Sequence, residues 1–220
     1  MYKIETHLHT SEGSGCAHLS GSEIIKLCAE AGYDTVFVCN HYAKKFFENL
    51  GDMPWTEKTE RYLLGYENAR AEGEKLGVTV LLALELTFTN APNDYLVYGV
   101  TKEFLDAYPA LYDSTIEEFY PLAKSLGLLV VQAHPHRNGV CFPTPKFVDG
   151  LEIYNGNPRH KDYSEKTQAL AEAENLLFTA GSDAHRVEDV GISGVFSPVP
   201  IQNSEDFISL IKNRQAIVIK

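Results

Sequence analysis

Imidazoles and carboxylates recur at the ends of strand-like runs from one end of this chain to the other. His7-Leu8-His9 closes a run that begins at Lys3, and Asn40-His41 follows the run over 35–39. Glu85 ends Leu81-Leu82-Ala83-Leu84-Glu85, Ala133-His134-Pro135 follows 128–133, and Ser182-Asp183-Ala184-His185 follows 176–180. Neutral imidazole and carboxylate together are the ligands of zinc, manganese and iron. Strand ends that converge in space are where α/β barrels assemble their active sites. These residue types in this order point to a metal-dependent hydrolase.

The spacing within each group carries its own argument. His7 and His9 stand at i and i+2 on a strand, so both side chains project from one face and can chelate a single ion. Asp183 and His185 repeat that geometry near the other end of the chain. One such pair arises readily by chance; two, both at strand exits, argue against coincidence. His41 and His134 taken singly would equally suit hydrogen-bonded histidines at a barrel rim. Glu85 ends an apolar run, and a carboxylate in a buried strand is costly unless it is paired or coordinated. It reads as a salt-bridge partner or as a metal ligand, and its two oxygens allow it to bridge two ions.

Arg137, in His134-Pro135-His136-Arg137, has the planar fork that matches two phosphate oxygens, so it is a phosphate clamp or a surface ion pair. Asn155 before Gly156 is a substrate-orienting residue or a turn former. The segment Tyr42-Ala43-Lys44-Lys45-Phe46-Phe47, with Trp55, reads as an aromatic loop able to close over a site, its lysines suited to an anionic leaving group. His136 receives no role.

Positioning these groups requires an alternation of strands and helices. Strand-like runs over 3–9, 35–39, 78–86, 94–100, 128–133, 151–154 and 176–180 precede a terminal one over 216–219. Ser20, with Glu23 three residues on, has the capping-box spacing, and Gly32 ends the helix that it opens. Helices are also expected over 57–76, from Ser114 or Thr115 to Ser125, and over 164–175 and 204–213. The segment from Tyr42 through Pro54 reads as loop, and Asn90-Ala91-Pro92-Asn93 as a turn. Alternation of this kind predicts a parallel sheet with crossover helices. An open doubly wound sheet gathers ligands at one switch point; here potential ligands follow nearly every strand, which only a closed barrel brings to one centre. The expected architecture is a distorted (β/α)7 TIM-like barrel formed by one domain over 1–220.

Composition bounds the function classes. With 44% hydrophobic and 22% charged residues the chain reads as an ordinary globular protein. No apolar run approaches the roughly 18–20 residues that span a bilayer, and no signal-peptide pattern opens the sequence, so no membrane partner and a cytoplasmic location are expected. A formal net charge of −11 disfavours an extended nucleic acid and is compatible with a small anionic substrate at a cationic centre. The four cysteines, Cys16, Cys28, Cys39 and Cys141, include no CxxC pair. Cys16 lies in a Gly/Ser-rich loop just after His9, where a tight turn explains it as well as a metal would. Neither a GxSxG nor a Walker-type sequence is present, so no serine nucleophile or P-loop is implied.

The ordered set His-x-His, Asn-His, strand-end Glu, Ala-His-Pro and Ser-Asp-Ala-His resembles the PHP (polymerase and histidinol phosphatase) superfamily, and its stand-alone phosphoesterases most closely. The resemblance runs from His7 to His185. It implies a distorted (β/α)7 barrel with two or three divalent ions (zinc, manganese or iron) that hydrolyses phosphate esters. By position it assigns His7, His9 and Asp183 to a first ion, with Glu85 bridging to a second that also takes His134 and Asp94, where many relatives carry histidine. It assigns His41, His185 and a residue from the loop after His9 to a third. Glu12 is the expected loop ligand, with Cys16 and His18 as rivals. Asn40 stands where most relatives have aspartate, as an orienting neighbour without charge.

Paired cations lower the pKa of a shared water and stabilise charge on phosphoryl oxygens. The expected activity is therefore hydrolysis of a small phosphate monoester or short phosphodiester by a metal-bridging hydroxide, with Glu85 and Arg137 as catalytic residues. A metal-dependent amide or lactone hydrolase and a non-catalytic metal-binding regulatory subunit are the alternatives. Substrate, metal identity and oligomeric state are not specified by the sequence.

Overall fold

The computed structural model describes all 220 residues. Its strands are β1 (Tyr2–Leu8), β2 (Thr35–Val38), β3 (His41–Tyr42), β4 (Thr79–Thr87), β5 (Asp94–Tyr98), β6 (Leu129–Gln132), β7 (Gly150–Asn155), β8 (Leu177–Gly181), β9 (Gly194–Ser197) and β10 (Ile217–Ile219). Its α-helices are α1 (Gly21–Glu30), α2 (Lys44–Glu48), α3 (Trp55–Leu76), α4 (Lys102–Ala107), α5 (Ile116–Ser125), α6 (Ser164–Ala173) and α7 (Ser204–Lys212). No helix is long and apolar enough to cross a membrane.

The sheet runs β10-β9-β1-β2-β4-β5-β6-β7-β8, with β3 paired to β4. It curls until β8 meets β1, giving a nearly closed, distorted TIM-like barrel. At that seam Leu8 bridges Ala184, the His9 amide donates to Ala184 O at 3.0 Å, and Thr6 Oγ1 donates to Ala180 O at 2.7 Å. The approach is close because residue 181 is glycine: a Cβ there would lie 2.4 Å from His7 Cβ.

The expected all-parallel sheet is corrected in one respect that matters for the site. β5 is antiparallel to both β4 and β6, and β9 and β10 are antiparallel additions beside β1. Only residues 88–93 separate β4 from β5, too few for the dozen or more that a parallel crossover needs. Because β5 runs backwards, its first residue, Asp94, sits at the same barrel end as the last residues of the parallel strands. The short elements β3, β9, α2 and α4 went unanticipated; each is too short to show a period.

The capping box predicted for α1 is present: Glu23 N donates to Ser20 Oγ, and Ser20 N donates to Glu23 Oε2 at 2.9 Å. Thr115 and Glu118 do the same for α5. At the barrel end away from the histidines, Ile4, Phe37, Tyr98 and Leu129 pack with Phe207, Leu210 and Ile211 of α7, which plugs that end. The Phe207 ring lies 4.6 Å from Phe37 and 4.9 Å from Tyr98, centroid to centroid. Each such side chain contributes about 1.5–3 kcal/mol by burial, and together they leave the polar groups only the opposite end.

Candidate metal centre

At that opposite end, six elements deliver ligand-type side chains to one point. β1 carries His7 near its end, with His9 one residue past it; β3 starts with His41; β4 carries Glu85; β5 starts with Asp94. His134 follows β6, and Asp183 and His185 follow β8. His134 and Asp183 are held at φ +29° and +52°, in the left-handed region that non-glycine residues seldom occupy. His134 also precedes a proline, which further restricts its backbone. Strained backbone persists where surrounding structure over-determines it, and functional sites are where it clusters.

Four groups of three ligand atoms lie within 4.8 Å of one another: His7, His9 and Glu85; His7, His134 and Asp183; Glu85, Asp94 and His134; and His9, His41 and His185. Glu85 occupies the middle. Its Oε1 is 3.0 Å from His134 Nε2 and 3.3 Å from His7 Nε2, and its Oε2 is 3.4 Å from His9 Nε2 and 2.8 Å from His41 Nδ1. His9 Nε2 lies 3.2 Å from Asp183 Oδ1 and 3.1 Å from His7 Nε2. The structure thus brings His7, His9, His41, Glu85, Asp94, His134, Asp183 and His185 together.

Hydrogen bonds on the outer ring nitrogens fix which way several imidazoles point. His7 Nδ1 faces Glu152 Oε1 at 2.9 Å, and His185 Nδ1 faces the Asp183 carbonyl at 2.8 Å. Ser14 Oγ donates to Asn40 Oδ1 and accepts from the His41 amide, so it receives the Nδ1 proton of His9 at 3.1 Å. Donation outward from Nδ1 leaves the Nε2 lone pair directed inward, the tautomer that metal-binding histidines use.

The electrostatics suit bound cations. Burial works against the charges on Glu85 and Asp183, yet His7 beside both carboxyls, with His41 beside Glu85 and His9 and Arg137 beside Asp183, holds them well below the usual range. His7 and His41 are in turn raised: burial opposes this, but Glu152, Asp183 and Glu85 outweigh it at His7, and Glu85 and Cys16 at His41. His9, buried and flanked by His185 and His41, is pushed well down. Glu85 Oε2 is buried and makes no hydrogen bond of proper direction. An acceptor left so, amid inward-facing imidazoles, fits divalent ions in this space.

One expected ligand lies elsewhere. The Glu12 carboxylate accepts from the Gly21 amide at 3.1 and 3.2 Å and from Asn68 Nδ2 at 2.9 Å, tying the start of α1 to α3. A helix N-terminus offers unpaired amides that attract a carboxylate, and Glu12 answers that demand instead. Its loop neighbour Cys16 does reach the edge of the cluster, lining a small cavity with His41 and His185. Burial opposes ionisation of this thiol, but the neighbouring His185 and His41 imidazoles bring it down to about 6.

Arg137 reaches the site as well: its Nη2 donates to Asp183 and, at 2.9 Å, to Asn155 Oδ1. Asn155 also donates to Glu152 Oε2 at 2.9 Å, so it orients groups around the cluster. His136 turns away to Thr167 at 3.0 Å. The aromatic segment after His41 is no free flap. Tyr42 and Phe47 are buried against Tyr62 and Tyr112, Trp55 stacks on Phe47, and Lys44 pairs with Asp113 at 3.0 Å.

Glu152 is the important residue that sequence reasoning missed. It holds His7 through Oε1, and through Oε2 it accepts from the His134 amide at 3.1 Å. Such outer partners of metal ligands change affinity or activity by roughly 10–100-fold when removed. A loss of that size is expected for Glu152→Gln, with zinc affinity measured by competition against a chromophoric chelator; an unchanged affinity would deny the orienting role.

Glu5 was also overlooked. Its Oε1 accepts from the His7 and Ser182 amides at 2.9 and 3.0 Å, pinning β1 to the segment after β8. Burial raises its pKa to about 7, against the hydrogen bonds from Ser182 and His7. Between pH 4.5 and 7 the unfolded carboxyl has lost its proton while the folded one keeps it, so stability falls as pH rises through that window. In chelator-treated protein Glu5→Gln is expected to flatten this fall, by about 3 kcal/mol at neutral pH. Urea midpoints at pH 4.5 and 7.5 measure it.

Two cavities open on the cluster. One of about 230 Å³ is lined by Cys16, His41, His185, Arg137, Arg159 and Arg186 among others, and one of about 750 Å³ by the 11–16 loop, His41, Lys45, Phe46 and Asp94. A separate groove of about 560 Å³ near Phe178 and Ile217 contains none of the clustered residues.

Fold and site together define a barrel with a histidine- and carboxylate-rich centre at the ends of its strands. A family model described as PHP-associated matches residues 163–216. A two-domain protein from Bacteroides vulgatus containing a predicted PHP-like metal-dependent phosphoesterase superposes with a TM-score of 0.71 at 15% identity. The match covers 99% of this chain, which spans 64% of that protein's length. A protein from Bifidobacterium adolescentis assigned as a metal-dependent phosphoesterase gives 0.59 at 17% identity, covering 97% of this chain and 96% of its own. An amidohydrolase from Chromobacterium violaceum, with bound sulfate, gives 0.60 at 13%, covering 98% and 97%. No curated protein matches the sequence. At these identities the likeness to the solved structures shows a shared fold.

Proposed function

We propose that residues 1–220 act as one barrel domain and form a metal-dependent phosphoesterase for a small phosphate monoester or short phosphodiester. The observation that carries this reading is Glu85, a buried carboxylate whose two oxygens face different ligand groups, one of them without a hydrogen-bond partner. His7, His9 and Asp183 would hold a first divalent ion, Glu85, Asp94 and His134 a second, and His41 with His185 a third. Zinc, manganese and iron all suit imidazole and carboxylate donors. Such ions supply acidification of water and stabilisation of charge on phosphoryl oxygens.

The protein's own groups do the rest. Glu152, Ser14 and the Asp183 carbonyl hold imidazole rings in one orientation. Arg137 keeps Asp183 in place through Nη2 and lines the smaller cavity beside Arg159 and Arg186. Asp189 accepts from both Nη atoms of Arg159 at 2.6 and 2.7 Å and from the amides of His185 and Arg186 at 2.9 Å, which fixes that wall. Three guanidinium groups thus line the cavity beside the cluster, each also paired with a carboxylate, and their remaining N–H donors favour an anionic ester over a neutral amide or lactone.

The test is phosphate release from sugar phosphates, nucleotides and histidinol phosphate by protein stripped with chelator and reloaded with zinc, manganese or iron. Release that requires the metal supports the reading. Turnover of amides or lactones alone would replace it with the amidohydrolase alternative, and a metal-loaded protein inert to all of them with a binding role.

A further inference from the structure

We infer that Cys16 is a thiolate ligand for a cation held with His41 and His185, making this outermost position a sulfur-imidazole site selective for zinc over manganese. The inference rests on the metal-dependent reading above and concerns which donor completes it.

The loop that carries Cys16 is fastened in place. Ser14 N donates to Thr10 O and Ala17 N to Ser14 O, both at 2.9 Å, while Ser11 N donates to Leu19 O and His18 N to His185 O, both at 2.8 Å. Ser14 adds side-chain bonds to Asn40 and His9. Cys16 is therefore presented at a set position, on the rim shared by the two cavities that meet at His41. Cys16, His41 and His185 line one small cavity of about 230 Å³ together.

The rivals in the loop are otherwise engaged. Glu12 is bound to Gly21 and Asn68, and Ser14 Oγ is consumed by His9, His41 and Asn40. His18 is exposed and approaches the site only through its amide. Glu85 Oε2, fully buried, lies 2.8 Å from His41 Nδ1 and ties this position to the rest of the cluster. Three imidazoles, His9, His41 and His185, converge on the same space. Imidazole alone leaves a divalent charge uncompensated on the solvent side, and thiolate supplies the missing negative charge. Sulfur and nitrogen donors together select zinc, whereas manganese prefers oxygen.

The experiment is zinc K-edge absorption spectroscopy and zinc stoichiometry on the zinc-loaded protein, its C16S variant and its C28S variant. The expected wild-type spectrum has a Zn–S shell at about 2.3 Å beside nitrogen and oxygen at about 2.0–2.1 Å. C16S should lose that shell and weaken one zinc by at least about 100-fold, beyond the usual effect of an outer partner, and C28S, whose thiol is buried in α1 away from the cluster, should keep both. A zinc-loaded wild type with no sulfur shell, or a shell that survives C16S, overturns the assignment. If that occurs while metal-dependent phosphate release persists, Cys16 fails and the phosphoesterase reading stands. A protein that takes up no zinc loses both.

Discussion

Glu85→Gln is expected to lower metal-dependent turnover by at least about 10³-fold, roughly the 4 kcal/mol that removal of one direct charge-stabilising group costs. The substitution keeps the shape and removes the charge from the point where His7, His9, His41 and His134 meet. Zinc stoichiometry should fall with activity, because the carboxylate faces two ligand groups at once. In chelated protein the same change has a second signature. His134 is raised to about 10, with burial opposing and contacts from Cys141 and Glu85 prevailing. A raised imidazole contributes stability that is complete below about pH 6.5 and lost as pH climbs towards 10. Glu85→Gln should flatten that decline. Normal zinc content and turnover in the variant would remove Glu85 from the centre.

Gly181→Ala is expected to destabilise the fold by about 3 kcal/mol and to abolish tight zinc binding together with it. The added Cβ would lie 2.4 Å from His7 Cβ and 3.0 Å from both His7 N and Thr6 Oγ1. These atoms belong to β1 at the seam where the barrel closes, so relief requires the strand to move. Movement of β1 carries His7 away from Glu152 and Glu85. Gly15→Ala is the matched control, since a Cβ there meets nothing within 4 Å. Denaturation midpoints and zinc uptake for the two variants make the comparison; equal behaviour would mean that the seam is looser than the structure shows.

The clustered residues were legible because a barrel of apolar strands makes every polar strand end conspicuous. Glu85 after Leu81-Leu82-Ala83-Leu84 could scarcely be missed. Glu152 was harder, since Leu151-Glu152-Ile153-Tyr154 alternates like a strand with one wet face. Closure of the sheet turns that face inward, and the register shift between Glu152 and Tyr154 further masks it. Glu12 misled because nearness to His9 in sequence said nothing of the α1 amides that claim it. Tyr42 and Phe47 looked like a flexible cover because their partners Tyr62 and Tyr112 lie far along the chain. The reversal of β5 was implicit in the short turn before it. Its consequence, Asp94 arriving at the ligand end from the start of a strand, emerges only from the register Thr87 to Asp94.

The most direct test of a shared cation centre is anomalous diffraction above and below the zinc absorption edge from crystals grown with zinc. The account predicts anomalous peaks on both sides of the Glu85 carboxylate, one within coordination distance of His7, His9 and Asp183 and one within reach of Asp94 and His134. Peaks confined to surface residues, or none touching Glu85, would contradict it.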